Sequence, residues 1–202
     1  LIDVVANNPK VAKYFDIPIQ HISNSILKRM NRRTNKEDIV NLIDKINKKI
    51  PDVVLRTSLI VGFPGETKED FDELLDFVKN TRFDKLGVFE YSKEDGTPAA
   101  KMQDQIHWKT KKTRYNKIME EQQRISKENL EKKIGKTCTV LVEDISFDNK
   151  YYVGRTFGDV PDIDGLVYIQ NDNKKQEKDV LDNFAKCKIT DVNSYDLIAK
   201  FI

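Results

Sequence analysis

Residues 53 to 67 read VVLRTSLIVGFPGET, and this stretch decides the fold. Six of its first nine residues are apolar, in a nearly continuous run that is typical of a strand covered on both faces in a parallel sheet. The turn that follows contains two glycines and a proline. Thr67 and Asp70 then match an acidic variant of the helix capping box. A buried strand therefore leads through a tight turn into a helix.

On both sides of this stretch, segments whose apolar residues recur as in strands alternate with segments whose apolar residues recur as in helices. Residues 14–20 predict a short strand, residues 25–33 and 36–49 predict helices, and residues 86–91 predict a further strand. Strands that alternate with helices at this spacing indicate right-handed βαβ units and a parallel sheet.

In the C-terminal third, apolar and polar residues alternate one by one, which is the pattern of strands. A long charged helix is predicted from Trp108 to Ile134. Beyond it, short strands are predicted at residues 137–143, 151–157, 166–169, 184–192 and 195–202. Five such strands predict a small closed antiparallel barrel of OB-like type.

Composition and charge exclude several classes of protein. The 202 residues contain 35 Lys and Arg against 33 Asp and Glu, and a net charge of +2 rules out a uniformly basic nucleic-acid coat. The charge is uneven, since residues 136–202 carry −3 and the preceding residues +5. Two cysteines are too few for a disulfide scaffold or a four-thiolate metal site. With no secretory signal and no membrane segment in the sequence, we expect a cytoplasmic protein.

Ligands of parallel α/β sheets bind at the carboxyl ends of the strands. Three such ends are predicted, at residues 18–21, 61–66 and 90–92. The glycine-rich turn either lets a ligand approach the backbone closely or is simply a tight turn. His21 is either a hydrogen-bonded structural residue or a base. Arg56 interrupts an apolar strand, and its partner is a carboxylate either of the protein or of a ligand.

The linked motifs resemble those of the radical-SAM methylthiotransferases. The residues that carry the resemblance read YFDIPIQH at 14–21, RTSLIVGFPGET at 56–67, and GVFEYS at 87–92 with EDGTPA at 94–99. Within that family, PIQH at 18–21 and PDIDG at 161–165 resemble the branch that methylthiolates an aspartate of a small-subunit ribosomal protein. The branch that modifies tRNA typically has Pro-x-Gln-Ser-Gly-Ser in place of PIQH.

The resemblance implies a partial (β/α) barrel, truncated to its last three parallel strands and followed by a small all-β OB-like TRAM barrel. Residues 1–107 would form the C-terminal half of the radical-SAM barrel. Residues 108–135 would form a connecting helix, and residues 136–202 the TRAM domain.

The family's chemistry uses S-adenosylmethionine (SAM) and two [4Fe–4S] clusters. One SAM donates a methyl group to a cluster-associated sulfur, and a second yields the 5′-deoxyadenosyl radical that abstracts hydrogen from the aspartate β-carbon. The cluster cysteines of the family are absent from this sequence, and Cys138 and Cys187 are expected to be buried structural thiols. The resemblance therefore predicts the C-terminal part of the enzyme, inactive alone, with no catalytic or metal-binding residue of its own.

The resemblance also assigns residues to the cofactor. Gln20 would face the ribose or amino-acid part of SAM, and Arg56 would pair with its carboxylate. The segment that packs on adenine would be Ile60, Val61, Gly62 and Phe63, with Phe89 and Tyr91 beside the same ring.

The acidic barrel favours a basic protein as substrate over RNA. Arg155, Asp159, Asp162 and Asp164 are the predicted contacts to a basic ribosomal protein, although the aspartates could equally form a solvated turn. Two alternatives stay open: a tRNA methylthiotransferase, and a non-catalytic module that binds a ribosomal protein or RNA. A half barrel leaves parallel strand edges open, so dimerisation or partial disorder at that edge is expected.

Overall fold

A computed structural model describes residues 1–172 and 177–202. The chain divides into two compact units, Leu1–Ile125 and Ser126–Ile202. The division falls inside the long charged helix, so this helix contributes residues to both units.

The first unit alternates helices and strands, as the periodicity predicts. Its elements are α1 (Ile2–Asn7), β1 (Tyr14–Asp16), α2 (Asn24–Arg29), α3 (Lys36–Lys49), β2 (Val54–Val61), α4 (Lys68–Thr81), β3 (Lys85–Glu90) and the first part of α5 (Trp108–Glu131). A short 3₁₀ turn occupies Ala99–Lys101.

The three strands form a parallel sheet in the order β1-β2-β3. Arg56 lies opposite Asp16 on β1 and Lys85 on β3, while Val61 at the other end of β2 lies opposite Glu90. The predicted parallel sheet is confirmed, with β1 paired to the first three residues of β2 and β3 paired to its last six.

Local sequence signals fix where two of the helices begin. Thr67 accepts a hydrogen bond from the backbone N–H of Asp70, and the Asp70 carboxylate accepts one from the Thr67 N–H. Asn35 and Asp38 form the same reciprocal pair at the start of α3. Each pair satisfies two backbone donors that a helix start would otherwise leave without partners.

The core of the first unit lies on one face of the sheet. Leu55, Leu59 and Val61 of β2 are buried there against apolar residues of α3, α4 and α5. The alternate residues of β2, Arg56, Ser58 and Ile60, are only partly buried. Because side chains alternate across a strand, these three face the opposite side of the sheet.

The second unit is a closed barrel. Its elements are β4 (Thr137–Ile145), β5 (Tyr151–Arg155), β6 (Val167–Gln170), α6 (Glu177–Val180), β7 (Phe184–Val192) and β8 (Leu197–Phe201). The strands follow one another in the order β4-β5-β6-β8-β7, and the pairing of β7 with β4 closes the barrel.

One feature of the barrel contradicts the sequence prediction. Four of its five strand pairs are antiparallel, as expected, but β6 and β8 run parallel. The reason is topological: β8 returns from β7 to a position beside β6 rather than beside its neighbour in sequence. The pattern of apolar residues specifies which face of a strand is buried, but it does not specify the neighbouring strand.

Close packing inside the barrel depends on Gly154. A Cβ atom at this position would overlap the backbone carbonyl oxygen of Leu141 on the neighbouring strand. The interior is filled by apolar side chains, among them Val140, Val142, Ile169 and Cys187.

No helix in residues 1–172 and 177–202 is both long enough and apolar enough to cross a membrane.

Truncation of a central β2 side chain should destabilise the first unit strongly. Leu59 has no exposed surface, so Leu59→Ala is expected to lower the free energy of unfolding by about 3 kcal/mol through lost burial and a residual cavity. Leu42, on α3, is 40% exposed, and Leu42→Ala is the matched control with an expected loss below about 1 kcal/mol. Urea unfolding measures both, and equal losses would contradict this placement of the core.

Candidate active-site edge

The segments that follow β1 and β3 both lie beside the carboxyl-terminal half of β2. The Gln20 N–H donates to the carbonyl oxygen of Ser58 at 2.9 Å, and the Gln20 carbonyl accepts from the Ile60 N–H at 2.8 Å. On the other side of β2, the Tyr91 N–H donates to the Val61 carbonyl at 2.9 Å. Residues that follow β1, β2 and β3 are therefore neighbours, and we call this the carboxyl edge.

Gln20 has two properties that single it out at the carboxyl edge. Its φ is +73°, a left-handed conformation that residues other than glycine rarely adopt. Its side-chain amide makes no hydrogen bond to any residue in the described part of the chain. Strained backbone held by two strand hydrogen bonds, with an available amide, is an arrangement that often occurs at ligand sites.

The turn after β2 requires glycine at two positions. Gly62 has φ +71° and Gly65 has φ +82°. A Cβ on Gly62 would overlap the aliphatic chain of Lys111, and a Cβ on Gly65 would overlap the Arg29 guanidinium. Arg29 also donates to the Pro64 carbonyl at 2.9 Å. The turn is thus covered closely by two long cationic side chains.

A buried carboxylate organises the same turn. Glu66 is 2% exposed, and its side chain accepts hydrogen bonds from the N–H groups of Gly62 and Phe63. Arg114 of α5 pairs with this carboxylate at 2.9 Å and donates to the carbonyls of Glu66 and Thr67, both at 3.1 Å. Burial raises the pKa of Glu66, while the charge of Arg114 and the two backbone N–H groups oppose the rise.

Two aromatic rings meet beside Gly62. The rings of Phe63 and Tyr91 are edge to face, with centroids 5.2 Å apart. Lys111 holds this pair, because its Nζ lies 4.9 Å from the centre of the Tyr91 ring and donates to the Tyr91 carbonyl at 2.7 Å. The Tyr91 hydroxyl is buried and has no hydrogen-bond partner among the described residues.

Two further apolar side chains lie on the sheet face that α3 and α4 leave uncovered. Ile60 and Phe89 are opposite each other on β2 and β3, and Phe89 is 59% exposed. The Val61 side chain, in contrast, has no exposed surface and belongs to the core, so only its backbone reaches the edge. The edge therefore combines apolar surface with a few polar groups, as small-molecule sites usually do.

Arg56 lies farther back along β2 than the other residues predicted to bind the cofactor. It is the third residue of β2, six residues before Gly62, and so lies about 20 Å away along the strand. Arg56 forms an ion pair with Asp16 at 3.6 Å. Of the two partners left open for this guanidinium, the structure provides the protein carboxylate.

His21 is a structural residue at the core side of the edge. It has no exposed surface, and its Nδ1 accepts a hydrogen bond from the Ser23 N–H at 3.0 Å. Nε2 is buried without a partner among the described residues. Burial lowers the pKa of His21 to about 4; nearby Asp70 opposes this and Arg114 reinforces it. The imidazole is thus neutral at physiological pH.

Asp70 joins the loops that follow β1 and β2. Its carboxylate accepts hydrogen bonds from the hydroxyls of Ser23 and Ser25, and from the N–H and hydroxyl of Thr67. Partial burial would raise the pKa of Asp70, but these hydrogen bonds outweigh it and hold the pKa well below its ordinary value.

The predicted partner-binding residues of the barrel are mostly engaged within their own surroundings. Arg155 pairs with Glu143 at 2.9 Å. Asp159 accepts from the N–H and hydroxyl of Thr156, and Asp164 accepts from the Val160 N–H at 2.9 Å. Asp162 is exposed, in a left-handed conformation with φ +61°.

The chain has no group that fits an iron–sulfur cluster among residues 1–172 and 177–202. No three His, Cys, Asp or Glu residues in these ranges come together as metal ligands do. Cys138 and Cys187 are thiols on paired strands of the barrel.

Sequence reasoning missed the side chains that hold the carboxyl edge together. Lys111 and Arg114 lie in a helix with many charged residues, and nothing in its periodicity distinguishes them. For Arg29 and Glu66, the turn itself could have given a signal. Its two glycines leave polar backbone groups that need partners, so polar side chains near the turn could have been expected to bond them.

Comparison with protein families identifies two segments. Residues 1–78 match the radical SAM superfamily, and residues 134–202 match the TRAM domain.

Relatives match along nearly the whole chain. The uS12 methylthiotransferase RimO of Alkaliphilus oremlandii is 55% identical over 200 residues, which are 99% of this chain and 45% of the relative. RimO of Clostridium perfringens is 49% identical and RimO of Clostridium botulinum 50%, each over 98% of this chain and 43% of the relative. The chain spans less than half the length of the curated relatives it matches.

A solved structure with partial similarity is coproporphyrinogen III oxidase, HemN, from Escherichia coli. The match covers 64% of this chain and 30% of the HemN chain, with a TM-score of 0.48 and 20% sequence identity. This likeness is too low to bear on fold or function.

Removing the charge of Glu66 should destabilise the first unit. In Glu66→Gln the amide oxygen can still accept from the backbone, but Arg114 remains buried without a counter-charge, so we expect a loss of about 3 kcal/mol. Glu69→Gln, three residues along on the exposed face of α4, is the matched control and should change little. The double variant Glu66→Gln/Arg114→Met should recover part of the loss, and urea unfolding that shows no recovery would argue against the pair.

His21 should make stability depend on pH. Its pKa is about 4 when folded and about 6.5 when exposed, so between these values only the unfolded chain binds the proton and stability rises with pH. The expected gain from pH 4 to 6.5 is roughly 3 kcal/mol. His21→Asn, whose side-chain oxygen can replace Nδ1 as acceptor, should flatten the profile in this window. His107→Asn, at an exposed histidine, should leave the slope unchanged.

Proposed function

This chain belongs to the RimO-type radical SAM methylthiotransferases, and we propose that it supplies two parts of their activity. The carboxyl edge binds SAM, and the TRAM barrel binds the basic ribosomal protein uS12. Both parts contribute to one reaction, the insertion of a methylthio group at the β-carbon of an aspartate. The observation that carries the proposal is the meeting of Gln20, Gly62 and Tyr91 at one edge of a parallel sheet.

The residues of the carboxyl edge fit the parts of SAM. The Gln20 amide, which has no partner within the described residues, can bond the ribose or amino-acid end. Phe63, Tyr91 and the backbone of Val61 and Gly62 present a mixed surface for adenine, and Ile60 and Phe89 extend it along the sheet. The buried Tyr91 hydroxyl provides one polar group that a ligand would satisfy. Arg56 pairs with Asp16 farther back along β2, and its contact with the SAM carboxylate stays a prediction.

SAM, when bound, supplies the methyl group and the 5′-deoxyadenosyl radical of this family's chemistry. The chain's own contribution is to bind and orient the cofactor. Glu66 and Arg114 fix the turn, Lys111 fixes Tyr91 against Gly62, and the paired glycines keep the backbone accessible. The two [4Fe–4S] clusters typical of the family have no fitting ligands among the described residues.

The barrel is proposed to contact the substrate protein through its acidic β5–β6 loop. The strand order, with β6 and β8 adjacent, supports an OB-like barrel, in which loops commonly bind ligands. Exposed Asp162 lies between apolar Phe157, at 59% exposure, and Ile163, at 65%. Charge attracts a basic protein, and exposed apolar side chains supply contact area. Asp159 and Asp164 would shape this loop, and Arg155 would flank it.

One observation favours the alternative of an RNA substrate such as tRNA. Lys186, Lys188 and Lys200 point outward on β7 and β8 and make no ion pair among the described residues. The net charge of residues 136–202, at −3, argues against this alternative. A module without catalysis is a third possibility, and dimerisation through the outer strands β1 or β3 remains a prediction.

A chimera tests the catalytic proposal. The chain replaces the matching 200 residues of RimO from Alkaliphilus oremlandii, and methylthiolation of uS12 is followed by mass spectrometry. We expect activity, with Gln20→Ala weakening SAM binding about tenfold through one lost hydrogen bond. Gln123→Ala, at an exposed position of α5, should have no effect. A chimera that assembles its clusters and binds SAM yet leaves uS12 unmodified would overturn the proposal.

Binding by the chain itself tests the choice of substrate. Immobilised chain is presented with purified uS12 and, separately, with tRNA at physiological salt. We expect retention of uS12, reduced several-fold by Asp162→Lys because the substrate is basic, and no retention of tRNA. Asp148→Lys, an acidic residue of the β4–β5 turn, is the control. Retention of tRNA alone would favour the alternative.

A further inference from the structure

Cys138 and Cys187 are directly opposite each other where the barrel closes. They are Cα partners in the antiparallel pair of β4 and β7, the pair that completes the ring of strands. Cys187 has no exposed surface, and Cys138 is partly buried against the same apolar cluster. Because partners on antiparallel strands share a face, both side chains point towards the barrel interior.

The strand pairing of these two residues implies the spacing that a disulfide needs. Opposed residues of antiparallel strands have Cα atoms about 4.5 to 5.5 Å apart. Disulfides in proteins join Cα atoms about 4.4 to 6.8 Å apart. Rotation of the two side chains can therefore bring the sulfurs together without moving either strand. Nothing in the proposed activity uses these two thiols.

We propose that Cys138 and Cys187 form a redox-active pair that closes into a cross-strand disulfide and locks β4 to β7. The oxidant class is a low-molecular-weight disulfide. The Cys138 sulfur attacks it and releases one thiol, which leaves a mixed disulfide on Cys138. The Cys187 sulfur then attacks Cys138 and releases the second thiol. Two protein thiols are oxidised, and one disulfide is reduced to two thiols.

The two cysteines have different parts in this step. Cys138 is the more accessible and is therefore the entry point for the oxidant. Its burial raises the pKa of the thiol, with Lys133 opposing, so the first attack is slow at neutral pH and faster in alkali. The buried Cys187 Sγ, which has a weak contact to the Ala185 carbonyl at 3.9 Å, makes the second attack.

The consequence for the barrel is a constraint on its closing pair. A bond between residues so far apart in sequence restricts the unfolded chain and should raise the melting temperature of the barrel. Because Cys138 is partly exposed, a reductant can reach the bond, so the lock is expected to be reversible.

The test treats the whole chain with oxidised glutathione and then measures thiols and mass. We expect both thiols to disappear together, the chain to lose two hydrogens, no glutathione to remain attached, and the melting temperature to rise until dithiothreitol is added. Cys187→Ala should instead retain one glutathione on Cys138, and Cys138→Ser should react much more slowly.

Other outcomes would overturn the proposal. These are a stable glutathione adduct on the unaltered chain with Cys187 still open to alkylation, disulfide-linked dimers in place of an internal bond, or no reaction at all. Since Cys138→Ser changes a partly exposed residue, it keeps the test valid even if Cys187→Ala folds poorly. The result is independent of SAM or uS12 binding.

Discussion

The buried ion pair of Glu66 and Arg114 is the interaction on which the carboxyl edge depends. A carboxylate removed from water is costly unless its charge and hydrogen-bonding capacity are satisfied. Glu66 meets that condition through Arg114 and two consecutive backbone N–H groups. The same contacts fix the turn after β2 and attach it to α5. A shorter residue would leave the turn without support, and a neutral one would leave the arginine without a counter-charge.

The edge shows how a parallel sheet converts separate segments into one site. Gln20, Gly62 and Tyr91 are distant in sequence, and backbone hydrogen bonds to β2 bring them together. Lys111, Arg29 and Asp70 then join the loops to one another through side chains. Position is thus set first by the strands and refined by a small number of charged residues.

Much of the architecture was predictable because it is encoded locally. The apolar run of β2, the Thr67 cap and the change of period after α5 each identify an element from its own residues. Interactions between distant residues were not predictable in this way. Arg114 lies 48 residues from Glu66, and no periodicity links them. The ion pair of Arg56 with Asp16 was not predictable either, because a motif identifies the strand but not the partner of each side chain. The parallel neighbours β6 and β8 were missed for the same physical reason.

The contrast between an open sheet and a closed barrel has a consequence for how the chain fluctuates. Every strand of the barrel has a partner on both sides, so its central amide protons can exchange with solvent only when the ring opens. In the first unit, β1 and β3 each have one unpaired side within the described residues. Local fraying of these strands is therefore enough to let their amide protons exchange. Deuterium uptake should therefore be gradual in the sheet and nearly all-or-none in the barrel.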